Sequence, residues 1–131
     1  MAESSKLKIT VLKKTDSKQI FGDNPPMGQA IEACSVFKEG QEFIVNEDGR
    51  MPAGFCHWAW NDINKKVITL RYGGNFPWMK EKGTSVSCCT DGFRPVIFEI
   101  RRIEKTKNKF ICENTTSASV FICSIARARK P

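Results

Sequence analysis

Histidine occurs once in this chain, at His57. A metal centre built on several imidazoles is therefore excluded, and no His-Glu-x-x-His zinc motif exists. No Gly-x-Ser-x-Gly elbow supports a serine hydrolase, and no Gly-rich loop of the phosphate-cradling kind is present. Cys-x-x-Cys is missing too, which removes the spaced zinc-knuckle and thioredoxin patterns. No apolar run approaches the ~20 residues that a bilayer-spanning helix needs. The opening residues, Met1-Ala-Glu-Ser-Ser-Lys6, are polar and pass straight into a strand-like pattern, so no secretory signal peptide is expected. Neither an internal repeat nor a low-complexity block interrupts the chain.

What is there suits one globular domain: 131 residues, 40% hydrophobic and 27% charged, enough to bury a core without cross-links. With no signal peptide the expected location is cytoplasmic, where thiols stay reduced. The six cysteines then read as free thiols, metal ligands or redox groups before they read as disulfides. The net charge of +7 is unevenly placed: residues 1–100 carry 13 Lys/Arg against 12 Asp/Glu, and residues 101–131 carry 8 against 2. A near-neutral body without a basic face interleaved with aromatics argues against nucleic acid as a partner. No membrane partner is expected, and a small-molecule ligand is.

Hydrophobic periodicity predicts an α+β fold, a small and mostly antiparallel sheet of four to six strands packed against one main helix. Leu7, Ile9 and Val11 share one face of a first strand. Phe43 and Val45 share a face of another, preceded by a Lys38-Glu-Gly40 turn. From about Trp58 to Tyr72, Ala59, Ile63, Val67 and Leu70 fall at helical spacing, and Gly73-Gly74 ends the pattern. A short helix is indicated near Lys18–Phe21, a strand at Thr84–Cys88, and a strong strand from Val96 to Ile103 with Val96, Phe98 and Ile100 on one side. Residues 1–104 form the predicted domain. Residues 105–131 are a basic, β-prone C-terminal extension in which Cys112 and Cys123 read as packing.

Unusual chemistry concentrates in Pro52–Ile63. Cys56 falls at the start of the helix, where exposed backbone N–H groups and the macrodipole favour a nucleophilic or metal-binding sulfur. His57 adjoins it, although adjacent side chains on a helix diverge. Cys88 and Cys89 point to opposite sides of a strand, so only one can share a site with Cys56. Cys89 is the choice, because it adjoins Thr90-Asp-Gly92, a turn whose glycine is free to take positive φ. Cys34 is the third candidate: with Cys56 and Cys89 it would make a site for a soft transition metal such as Zn, Fe or Cu. Asp91 is a turn residue bonding its own backbone, an acid/base, or an orienter of a thiol. Arg94 is a fork for an anion or a cover for the sheet edge. Trp58, Trp60 and Trp78 are core residues or the walls of an aromatic-lined pocket.

Four blocks carry a resemblance: Cys34-Ser-Val-Phe-Lys-Glu-Gly-Gln-Glu-Phe-Ile-Val45, Pro52-Ala-Gly-Phe-Cys-His-Trp-Ala-Trp-Asn-Asp-Ile63, Gly73-Gly-Asn-Phe-Pro-Trp78 and Cys88-Cys-Thr-Asp-Gly-Phe-Arg-Pro-Val-Ile-Phe98. In these the chain resembles an uncharacterised family of small, mainly microbial proteins. The resemblance spans about Lys6 to Glu104 and implies no reaction. It marks Cys34, Phe37, Gly40, Cys56, Trp60, Cys89, Asp91, Gly92 and Arg94 as typical of the family, and leaves His57 outside the pattern.

The leading expectation is a small enzyme acting on an organic molecule, an aromatic one among the options, through Cys56, Cys89, Asp91 and His57, with Trp58, Trp60, Trp78 and Arg94 binding substrate. Isomerisation, cyclisation, decarboxylation and thiol redox chemistry are all open to such a set. The alternatives are a metal- or redox-binding module using Cys34, Cys56 and Cys89, and an interaction protein that works through its basic tail.

Overall fold

Alternating apolar residues and one amphipathic stripe build the observed architecture. The computed structural model describes residues 3–104, so the extension from 105 onward, with Cys112 and Cys123, lies outside the described residues. Strand β1 (Lys6–Lys14) is followed by helix α1 (Ser17–Phe21), strand β2 (Glu42–Val45), helix α2 (His57–Arg71), strand β3 (Thr84–Cys88) and strand β4 (Val96–Ile103). The strands form one sheet in the order β2-β1-β4-β3, and every pairing is antiparallel. Among the described residues, no helix is long and apolar enough to cross a membrane.

Period-two patterning sends Leu7, Ile9 and Val11 of β1, Phe43 and Val45 of β2, and Val96, Phe98 and Ile100 of β4 to one face, where all are buried. Helix α2 lies on that face and meets it with Ala59, Ile63, Val67 and Leu70. The helix runs one residue earlier at each end than its periodicity predicts. Helix α1 is a single turn made possible by a reciprocal cap: Gln19 N–H donates to Asp16 Oδ1, and Asp16 N–H donates to Gln19 Oε1.

Long loops close the domain through rings. Phe37, which belongs to no helix or strand, is buried, with its ring 5.8, 5.0 and 5.1 Å from those of Phe43, Phe55 and Phe98. A register shift in β1 between Val11 and Lys13 pins the loop that carries it. There Gly40 N–H donates to Val11 O at 2.7 Å, and Val11 N–H donates to Gln41 O at 2.9 Å.

Gly92 departs from expectation, because its φ is not in the left-handed region. The turn around it is stabilised instead by the Asp91 side chain, whose Oδ1 accepts from Phe93 N–H at 3.0 Å.

Candidate functional site: a thiol-lined cavity

Three cysteines from distant parts of the chain line one cavity of about 130 Å³, together with Val36, Phe37, Trp58, Ala59, Asp91, Arg94 and Val96. Each is delivered by a different local device. Cys56 is the N-cap of α2, with φ −79° and ψ 129°, and its side chain makes no capping hydrogen bond. The half-buried sulfur is therefore not used up in holding the helix start. Cys34 arrives on the loop after α1, where its carbonyl accepts from Lys14 Nζ at 3.0 Å. Cys89 follows β3 and is buried, its Sγ accepting from Val96 N–H at 3.3 Å while its own N–H donates to Val96 O at 3.1 Å. Cys88 is exposed, as strand alternation requires if its neighbour faces inward. All four described cysteines are free thiols.

The polar edge of the cavity is Asp91 and Arg94. Arg94 Nε donates to Asp91 Oδ2 at 3.4 Å, an i,i+3 ion pair with both side chains partly exposed. This fixes the stem of the guanidinium and leaves its terminal Nη groups without a partner among the described residues. Both carboxylate oxygens of Asp91 are engaged, one by Phe93 N–H and one by Arg94, so the group acts here as a turn-former and an orienter.

Trp58 lines the cavity and is 63% exposed. It also lines an adjoining shallow hollow of about 320 Å³ with Thr90, Asp91, Gly92 and Phe93. Its indole N–H donates to Thr90 Oγ1 at 2.8 Å, and Thr90 Oγ1 lies 3.0 Å from Asp62 Oδ2. Asp62 Oδ2 also accepts from Thr90 N–H at 2.7 Å. A relay thus ties the Cys89–Asp91 turn to the first turns of α2, holding Cys56 and Cys89 on the same cavity. Sequence reasoning gave neither Asp62 nor Thr90 a role in the site, although both fall in the stretches it singled out. The available signal was the four-residue spacing of Trp58 and Asp62, which puts both on one helix face.

The other predicted residues lie elsewhere. His57 opens α2, exposed and outside the cavity wall. Trp60 is half-buried and packs edge-on against Phe55 at 5.9 Å, as part of the core rather than of the cavity. Trp78 is 69% exposed and lines a separate hollow with Lys65, Lys66, Thr69 and Phe76. Among the described residues, no three His, Cys, Asp or Glu side chains are grouped to hold a metal ion, so Cys34, Cys56 and Cys89 share a wall without forming a coordination set. Compared with protein-family models, with curated proteins and with solved structures, the chain gives no match.

Proposed function

We propose that this protein carries out thiol-dependent chemistry on a small organic acid bound in the Cys34–Cys56–Cys89 cavity. The observation that carries the reading is the convergence of three free thiols and a guanidinium oriented by Asp91 on one cavity whose other walls are apolar or aromatic. Its volume of about 130 Å³ is close to the ~150 Å³ that accommodates a benzene-sized ring. Val36, Phe37, Ala59 and Val96 offer such a body apolar contact, and the free Nη groups of Arg94 suit a carboxylate. Cys56 is the reactive sulfur in this reading, because it is half-buried, makes no capping bond and sits at a helix N-terminus. Cys89, buried and already accepting an amide N–H, serves as wall. Asp91 orients Arg94, and Trp58 adds an aromatic face to the wall. Free thiols of this kind fit a reducing, cytoplasmic location.

Alkylation by iodoacetamide, read peptide by peptide in a mass spectrometer, tests the assignment, with exposed Cys88 as internal reference. Cys56 is expected to react faster than Cys88, benzoate is expected to slow Cys56 and its cavity neighbour Cys34 but not Cys88, and Arg94→Gln is expected to remove that protection. A Cys56 that reacts more slowly than Cys88 and is indifferent to benzoate would overturn the proposal.

A further inference from the structure

A second hollow lies between the middle of α2 and the loop that follows it, and the thiol chemistry makes no use of it. Its walls are Lys65, Lys66 and Thr69 from the helix and Phe76 and Trp78 from the loop, around about 320 Å³. Trp78 is 69% exposed, although an indole gains more than most side chains from being covered. Its ring stacks at a tilt of 33° on Phe76, with centroids 5.1 Å apart. The loop beneath is staked at several points. Arg102, on the helix side of β4, donates from Nη1 to Leu70 O at 3.0 Å and Gly74 O at 2.8 Å, and from Nη2 to Asn75 Oδ1 at 2.8 Å. Asn75 Oδ1 also accepts from Gly83 N–H at 2.7 Å. The two rings are therefore presented by a fixed loop.

The charged residues that line the hollow are both cations. Lys65 makes no ion pair among the described residues, and Lys66 donates to the neutral carbonyl of Val86 at 2.7 Å, so its charge is not cancelled. Lys80 and Lys82 flank the loop in sequence, and Glu81 between them is held by Arg101 at 3.0 Å. The chain leaves the sheet after Ile103, one residue past the arginine that grips this loop.

We propose that Phe76 and Trp78, with Lys65 and Lys66, form a platform for single-stranded nucleic acid, on which a base stacks against Trp78 while the lysines take the adjoining phosphates. Exposed rings beside uncompensated cations are the pairing that such strands need, since every base offers a π-face and every linkage an anion. Linear inspection misses this platform because the lysines and the rings are about ten residues apart and belong to different elements.

The test uses the full chain and a fluorescein-labelled oligouridylate of ~10 nucleotides, with binding followed by anisotropy across a salt series. Trp78→Ala, at an exposed position, is expected to weaken binding by about 5- to 100-fold, and Trp78→Phe to restore much of it. Lys65→Gln is expected to lower the slope of log affinity against log salt by about one. Full affinity in Trp78→Ala would overturn the proposal, as would absence of binding at low salt. Heparin offers charge without bases; if it binds as tightly as the oligonucleotide, the platform is only a cationic surface and the proposal fails.

Discussion

Arg71 is buried to 8% exposure at the end of α2, an uncommon place for a guanidinium. Nη2 donates to Glu47 O at 2.8 Å, and the group lies 5.0 Å from the centre of the Tyr72 ring. The backbone that makes room for it is Gly49, at φ +74°, where an added Cβ would collide with the guanidinium itself. Gly49→Ala combines left-handed backbone strain with that collision and is expected to cost about 1–3 kcal/mol, measurable by urea unfolding. Ser85 is a residue of the opposite kind: fully buried, with an Oγ that has no hydrogen-bond partner among the described residues. Ser85→Ala should leave stability unchanged or raise it by about 1 kcal/mol in the same assay, because it removes a desolvated hydroxyl. Glu81 shows how one contact sets a titration. Its hydrogen bond to Arg101, aided by that residue's charge, holds its carboxyl below the ordinary value of 4.5. A depressed carboxylate contributes stability above its unfolded pKa and loses it as pH falls through the folded one. The contribution is thus present at neutral pH and disappears in the acid range below 4.5. Arg101→Gln is expected to move the Glu81 carboxyl back up, as read by NMR titration of its side-chain carbon.

At the scale of elements, α2 is both the lid of the core and the frame of the two surface sites. Its buried stripe was legible in the sequence because Ala59, Ile63, Val67 and Leu70 repeat at helical spacing. Ile63→Ala, at the fully buried centre of the stripe, is expected to cost about 2–5 kcal/mol in urea unfolding. The exposed faces of the helix were not legible in the same way. Asp62 reads as an early acidic residue suited to the macrodipole, whereas its structural use is to hold Thr90 of the Cys89–Asp91 turn. Asp62→Ala removes both anchors, so amide exchange across Cys89–Arg94 should accelerate while the core of α2 exchanges as before. Uniform acceleration through α2 would show instead that the carboxylate supports the helix rather than the turn.

For the whole molecule, the rings around Phe37 join loops to the sheet. Phe37 contacts Phe43 of β2, Phe55 just before α2 and Phe98 of β4, while its backbone neighbour Val36 lines the thiol cavity. Phe37→Ala is expected to lose about 3–5 kcal/mol, a large part of a small domain's total of ~5–15 kcal/mol. Because the same loop carries Cys34, Cys34 alkylation should accelerate in that variant even under conditions where the protein remains folded. Phe37 thus belongs to the core and to the cavity wall at once, as do Ala59, Cys89 and Val96.

The sequence by itself determined the strands, the main helix and the inward residues of β1, β2, β4 and α2, because periods of two and 3.6 are local properties of a chain with one buried face. It also singled out Cys34, Cys56, Cys89, Asp91 and Arg94, which the fold brings to one cavity. Only the tertiary structure separated Trp58, beside that cavity, from Trp60 in the core and Trp78 on a platform of its own. Local pattern is the same for all three, an aromatic ring near a turn. What distinguishes them is which distant segment packs alongside: Thr90 for the first, Phe55 for the second, and Phe76 with the lysines of α2 for the third. Such contacts depend on where long loops return, and that is decided by the closing of the core as a whole.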